Sequence, residues 1–139
     1  ERYVELRDAP IITQIFRYFN VYGPHEDHKG SQASPHTQFT NQAKETGLIK
    51  LFEGSRKYKR DFIHVGQIVE YHKLFLSTHQ SGTWNMGTGT AKSFYDVAKE
   101  ISDEYKSSIE YIKMPHVLRN NYQEFTQADT VKLWDTLSV

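Results

Sequence analysis

The stretch RYFNVYGPHEDHKGS, Arg17 to Ser31, decides how the chain is read. Its first half is aromatic and β-branched, the composition of a strand. At Tyr22-Gly23-Pro24 it turns into a polar loop carrying His25, Glu26, Asp27, His28 and Lys29 in succession. So many chemically capable groups just after a strand call for an explanation beyond surface solvation.

Around that stretch, the sequence alternates between strand and helix signals. Residues 11–22 read as one buried strand. GPHEDHKGSQASP reads as a loop from its Gly, Pro, Ser and Asp content. Residues 36–46 predict a helix closed by Gly47. IKLFEGS is a short strand and turn, and RDFIHV alternates as another strand. Residues 67–78 have apolar spacing at Ile68, Tyr71, His72 and Phe75, which predicts a helix. GTWNMGTG is a strand entering a glycine turn. Ser93 and Asp96 form a capping box with Asp in place of Glu. Phe94, Val97, Ala98, Ile101 and Tyr105 then make one apolar stripe. SIEYIKM is a strand, PHVLRNNYQEF a polar loop, and Thr126 opens the last helix. Strands alternating with helices predict an α/β class with parallel strands. ERYVEL has the spacing of a helix already under way, and QADTVKLWDTLSV starts a capped helix and stops. Residues 1–139 are therefore expected to be a single piece of a longer protein.

Bulk composition narrows the function classes. Lys+Arg and Asp+Glu are both 17 in 139 residues, so the formal net charge is zero. That argues against non-specific nucleic-acid or anionic-membrane binding, which leaves a basic excess. Aromatics make up 14% of the chain, enough for a real core. There is no cysteine, hence no disulfide framework and no thiolate site, which fits a cytoplasmic location. No apolar run approaches the roughly 20 residues of a membrane span.

Several motifs can be weighed on their own. NMGTGTAKS resembles a phosphate loop, but G-x-x-x-x-G-K-[ST] requires Gly at positions held by Met86 and Ala91. G-x-G-x-x-G fails as well, because Lys92 stands at its last position. A tight strand-to-helix turn is the better reading. His25, His28 and His36 match no recognised zinc spacing, so no metal is expected. His64 and His72 fall at polar edges of a strand and a helix. SRKYKRD is either a solvated turn or the source of one inward guanidinium. Arg60 is the candidate, since it abuts the buried strand at Asp61-Phe62 and could hold a phosphate bidentately. Lys29 is either an ordinary surface lysine or, in a partly desolvated pocket, a general base.

In order along the chain stand FRYFNVYGP, HKGS, KLFEGS, KRDFIHV, WNMGTGTAKSF, IEYIKMP and YQEFTQAD. Together these resemble the C-terminal half of the extended short-chain dehydrogenase/reductase family, which acts on nucleotide sugars. HKGS, LFEGS and YQ-x-FTQAD point to its ADP-heptose 6-epimerase branch. The resemblance runs from Arg17 to Asp129. It implies partial Rossmann-type parallel sheet elements plus the small substrate-binding domain of that family. The family's glycine-rich phosphate loop and catalytic Tyr-x-x-x-Lys pair lie in an N-terminal half that the resemblance does not cover. The resemblance further implies an NADP cofactor, an ADP-sugar substrate bound for the lipopolysaccharide core, a partner Rossmann half and a homo-oligomer. It gives Lys29 the role of second acid/base, opposite the tyrosine of the missing half. Val21 and Lys29 would lie at the cofactor. Asn20, Ser31 and Gln38 would touch substrate. Phe52, Glu53, Gly54 and Ser55 would line the adenosine and ribose. Arg60 would take a phosphate, and Tyr122 would close the pocket.

This sequence departs from the family pattern at four positions. Gln38 stands where the family has a substrate-contacting histidine, His25 where arginine is common, Asp27 where glycine is common, and Gln67 where aspartate is frequent. The alternatives are another nucleotide-sugar 4-epimerase or 4,6-dehydratase, which would not use a lysine at position 29, and a non-catalytic nucleotide-sugar-binding module. An RNA-binding domain using exposed aromatics is a weaker alternative, opposed by the zero net charge.

Overall fold

The computed structural model describes residues 11–116 and 122–137. The expected helix at ERYVEL and the middle of the loop at PHVLRNNYQEF, residues 117–121, lie outside them. Strands β1 (Gln14–Tyr18), β2 (Asn20–Tyr22), β3 (Leu48–Phe52), β4 (Lys59–His64), β5 (Gly82–Met86), β6 (Ala91–Ser93) and β7 (Ser108–Ile112) alternate with helices α1 (Pro35–Thr46), α2 (Val65–Phe75), α3 (Phe94–Tyr105) and α4 (Val131–Leu137). They form three small sheets in the orders β1-β5, β2-β4-β6 and β3-β7. The α/β class with parallel strands is borne out, since β1·β5, β2·β4 and β3·β7 all run parallel. The exception is β6, which lies antiparallel to β4. This three-residue strand separates the glycine turn from α3, where the sequence suggested a direct turn into the helix.

Residues 11–22 are not one buried strand. The chain changes sheet at Phe19, whose N–H donates to Met86 O at 3.0 Å, while Val21 N–H turns back to Phe19 O at 2.9 Å. β1 therefore pairs with β5 and β2 with β4, and both are only half-buried. Composition could not locate this break, because every residue around it favours extended backbone. Two helix boundaries also move. α2 starts at Val65 rather than 67 because His64 Nδ1 accepts the Gly66 N–H at 3.0 Å and caps it. The last helix starts at Val131 rather than Thr126. Residues 124–126 are held extended instead, through Lys59 N–H to Glu124 O, Thr126 N–H to Lys59 O and Asp61 N–H to Thr126 O.

Other local predictions hold. Gly47 closes α1 at φ 68°, a left-handed conformation that glycine adopts without steric cost. Ser93 Oγ accepts from Asp96 N–H, and Ser93 N–H donates to the Asp96 carboxylate, completing the capping box. Inside the predicted loop, Asp27–Gln32 form a short 3-10 segment with a break at Gly30.

The core has two parts. One gathers Phe39 and Ala43 of α1, Ile49 and Leu51 of β3, Phe62 of β4, and Val97, Ala98 and Ile101 of α3. The other gathers Ile63 of β4, Ile68, Tyr71 and Phe75 of α2, Trp84 and Met86 of β5, and Leu133 of α4. β4 belongs to both because successive side chains of a strand point to opposite faces, so Phe62 and Ile63 serve different cores. That central strand carries Arg60 and Asp61, and the first core lies beneath a cleft that Phe39 and Leu51 help to line.

Candidate functional site

A cleft of about 530 Å³ lies between α1, the end of β3 and the start of α3. Its inner surface is apolar, with Phe39, Leu51, Ile112 and Met114, and Phe52, Tyr58, Phe94 and Tyr122 add aromatic rings. Ser31, Gln38, Gln42, Lys50 and Ser55 supply polar groups. Five residues named by the resemblance thus meet here from four separate segments: Ser31, Gln38, Phe52, Ser55 and Tyr122.

The Ser55 side chain is the most informative of these. The residue is 2% exposed, yet among the described residues its Oγ has no hydrogen-bond partner. A buried hydroxyl left unpaired costs about 1–3 kcal/mol. In a cleft wall, a ligand atom can remove that cost. Backbone geometry holds Ser55 in place: its N–H bonds Phe52 O at 3.1 Å, in a turn permitted by Gly54 at φ 81°. Glu53 and Gly54 form this turn and do not themselves line the cleft. Glu53 N–H is tied to Ile112 O at 2.9 Å.

A smaller groove of about 270 Å³ brings together Asn20, Arg60 and Thr126. The Arg60 guanidinium donates to Lys59 O at 2.8 Å and Gln123 O at 2.6 Å. It also lies 5.3 Å from the centre of the Tyr122 ring and 5.7 Å from that of Phe94. Arg60 is therefore the link between groove and cleft. Burial pushes the Tyr122 phenol above its usual value, Arg60 works against this, and Tyr58 adds to it, so the ring stays neutral at physiological pH. Asn20 Nδ2 is turned to Asp61 O at 3.3 Å. Val21 packs, half-buried, against the second core.

Lys29 does not line the cleft. Its side chain is 46% exposed, and its ammonium stands 3.8 Å from Glu26 Oε2. Glu26 is one residue whose role the sequence reading missed. It is buried, and it accepts the Gly23 N–H at 3.1 Å and the Ser34 N–H at 2.6 Å. Burial opposes its ionisation, but the Ser34 and Gly23 hydrogen bonds and the nearby Lys29 outweigh this and hold its carboxyl below the ordinary value. Glu26 thereby ties the Lys29 loop to the start of α1. Its only signal in the sequence was an acid between a Gly-Pro turn and the capping serine Ser34.

The glycine turn after β5 is structural. Its Thr88 and Gly89 N–H groups donate to the Asp61 carboxylate at 2.8 and 2.9 Å. They are therefore not free for a phosphate. Among the described residues, no glycine-rich turn offers a cradle for a dinucleotide's phosphates, and no cluster of His, Asp or Glu has the form of a metal site. No helix among the described residues is long and apolar enough to cross a membrane.

Parallel strand pairs packed by helices, with an aromatic cleft beside them, define an α/β domain. The chain belongs to the NAD dependent epimerase/dehydratase family, whose profile matches residues 4–87. Among its relatives it is 50% identical over 139 residues to the ADP-L-glycero-D-manno-heptose-6-epimerase of Brachyspira hyodysenteriae, covering 96% of this chain and 44% of that protein. The crystal structure of the Helicobacter pylori ADP-L-glycero-D-manno-heptose-6-epimerase superposes with a TM-score of 0.80 at 27% identity, over 91% of this chain and 38% of that one. The UDP-glucose 4-epimerase of Thermotoga maritima shares the fold, with a TM-score of 0.82 at 23% identity over 99% of this chain and 44% of that one. The chain spans less than half the length of each.

Proposed function

We propose that this chain is the substrate-binding part of an NADP-dependent nucleotide-sugar epimerase. Its substrate would be ADP-D-glycero-D-manno-heptose, inverted at C6 for the lipopolysaccharide core. The observation that carries the reading is the unpartnered Ser55 hydroxyl, buried in a cleft where Ser31, Gln38, Phe52 and Tyr122 converge. The 50% identity to a heptose 6-epimerase supports the choice of sugar over a 4-epimerase or a dehydratase.

The dinucleotide, when bound, supplies the hydride acceptor and donor, and it is held chiefly by a Rossmann half outside this chain. Val21 would form part of the wall at its nicotinamide end. In the cleft, Phe52 to Ser55 hold adenosine and ribose, while Ser31 and Gln38 bond polar groups of the ligand. Arg60 takes a phosphate by turning from the carbonyls it now holds, with Asn20 beside it and Tyr122 closing over the top. Lys29 moves a proton at one face of the sugar carbon. Inversion needs such a group on each face, because the carbonyl is re-reduced from the side opposite to its formation. Glu26 keeps the Lys29 loop docked on α1. The complete enzyme would be a cytoplasmic homo-oligomer.

Calorimetric titration of this chain with an ADP-sugar and a UDP-sugar tests the reading. Binding of the ADP-sugar alone, weakened about tenfold or more in Arg60→Ala, is expected for loss of a charge-assisted phosphate contact. Equal binding of both ligands, or binding untouched by Arg60→Ala, would contradict it. In the complete enzyme, Lys29→Ala should abolish epimerisation while sparing substrate binding. Unchanged turnover there would remove Lys29 from the mechanism.

A further inference from the structure

Helix α1 presents two side-chain amides to the cleft one turn apart, Gln38 and Gln42. Both are half-buried, and each has one end of its amide fixed. Gln38 Nε2 donates to Ala33 O at 2.7 Å and to Ser31 O at 3.1 Å. Both partners are carbonyls, so the nitrogen must face them, and the two N–H bonds of that amide are used. Its Oε1 is the only group left to a ligand, and it can only accept. Gln42 has the opposite arrangement. Its Oε1 accepts the Lys50 N–H at 2.7 Å, so its orientation is also set by chemistry. Among the described residues, nothing accepts from Gln42 Nε2, which leaves two N–H donors.

The α1 wall therefore offers one acceptor and, a turn further on, one donor. Phe39 and Ala43, the next residue along in each case, face the core, which holds this stripe of the helix against the cleft. The remaining walls are largely apolar or aromatic, with Phe52, Tyr58, Phe94 and Tyr122. A sugar needs polar partners around its whole rim. A flat heterocycle needs aromatic faces on its sides and hydrogen bonds only along one edge.

We infer that Gln38 and Gln42 read the edge of the ligand's base, with Gln38 Oε1 accepting from an exocyclic amino group and Gln42 Nε2 donating to the adjacent ring nitrogen. An aminopurine carries that pair side by side. This rests on the nucleotide-sugar reading above, which supplies adenine as the base. It assigns a specificity role to Gln42, and it fixes the hydrogen-bond sense of Gln38, where a histidine could serve either way.

The test compares ADP with three analogues by calorimetry on this chain. Purine riboside 5′-diphosphate lacks the amino group, and 1-deaza-ADP and 7-deaza-ADP each lack one ring nitrogen that flanks it. The amino-free analogue and one of the two deaza analogues should each bind about tenfold more weakly than ADP, the effect of one neutral hydrogen bond. Gln42→Glu keeps an oxygen for the Lys50 N–H and replaces the NH2 donor with a charged acceptor. It should weaken ADP by at least that factor and cancel the advantage of ADP over the weaker deaza analogue. ADP binding that ignores both the analogues and Gln42→Glu overturns this assignment and leaves the nucleotide-sugar reading intact. UDP binding as tightly as ADP overturns the aminopurine choice. Failure of the unmodified chain to bind ADP at all overturns both readings.

Discussion

Asp61 and Ser55 are both buried polar side chains, and the fold treats them in opposite ways. Asp61 is 0% exposed and has every acceptor site engaged. Its carboxylate takes the Thr88 N–H at 2.8 Å, the Thr88 hydroxyl at 2.7 Å, the Gly89 N–H at 2.9 Å and the Ala128 N–H at 3.1 Å. Ser55 is 2% exposed, and among the described residues its hydroxyl has no partner. A satisfied buried polar group fixes architecture, because its donors would be orphaned without it. An unsatisfied one on a cleft wall is a cost of the free state that a ligand can remove. Around Asp61 the chain closes on itself. Around Ser55, Gln38 and Gln42 it leaves bonding capacity open.

The contrast breaks first at Asp61. Asp61→Ala leaves the Thr88, Gly89 and Ala128 N–H groups without their acceptor, and should cost about 3–5 kcal/mol in urea denaturation. A loss below about 1 kcal/mol would mean that the glycine turn does not depend on this carboxylate. Ser55→Ala should do the reverse. It breaks no bond of the free protein and removes an unpaired buried hydroxyl, so stability should hold or rise by up to about 1–3 kcal/mol, while ADP-sugar affinity falls about tenfold. A destabilised variant with unchanged affinity would make Ser55 a structural residue like Asp61.

Ser93→Ala sharpens the comparison at a site where both partners are protein groups. The capping box joins the end of β6 to α3, and its loss should cost about 1 kcal/mol without touching ligand binding. The smallest expected effect concerns Glu26. Its folded carboxyl titrates below the ordinary value of 4.5, so its contribution to stability is present above about that pH and is lost as pH falls through the lower folded value. Glu26→Gln should flatten that acidic part of the stability profile and leave the neutral region little changed. A stability–pH curve identical to the parent's would show that the Lys29 loop is held by other contacts.

Much of this was legible in the sequence where a residue's role is local. The Ser93–Asp96 box, the Gly47 cap and the stripe of α3 each depend on neighbours within four positions, and all appear as read. The failed phosphate-loop match at Met86 and Ala91 correctly marked the glycine turn as structural. What the sequence hid is what depends on distant partners. The sheet change at Phe19 follows from Met86, the delayed start of α4 from pairing with β4, and the engagement of Asp61 from amides 27 and 67 positions away. The cleft was legible only by resemblance. Gln42 was missed because nothing in a glutamine's neighbours reveals which end of its amide the fold will fix.

The most direct test is an amide-resolved NMR titration of this chain with an ADP-sugar. The account predicts shifts at the Ser55 amide and at the side-chain amides of Gln38 and Gln42, with Thr88 and Gly89 unmoved. Shifts at Thr88 and Gly89 with a silent cleft would contradict it, by showing that the ligand binds the glycine turn, whose Thr88 and Gly89 N–H groups Asp61 engages.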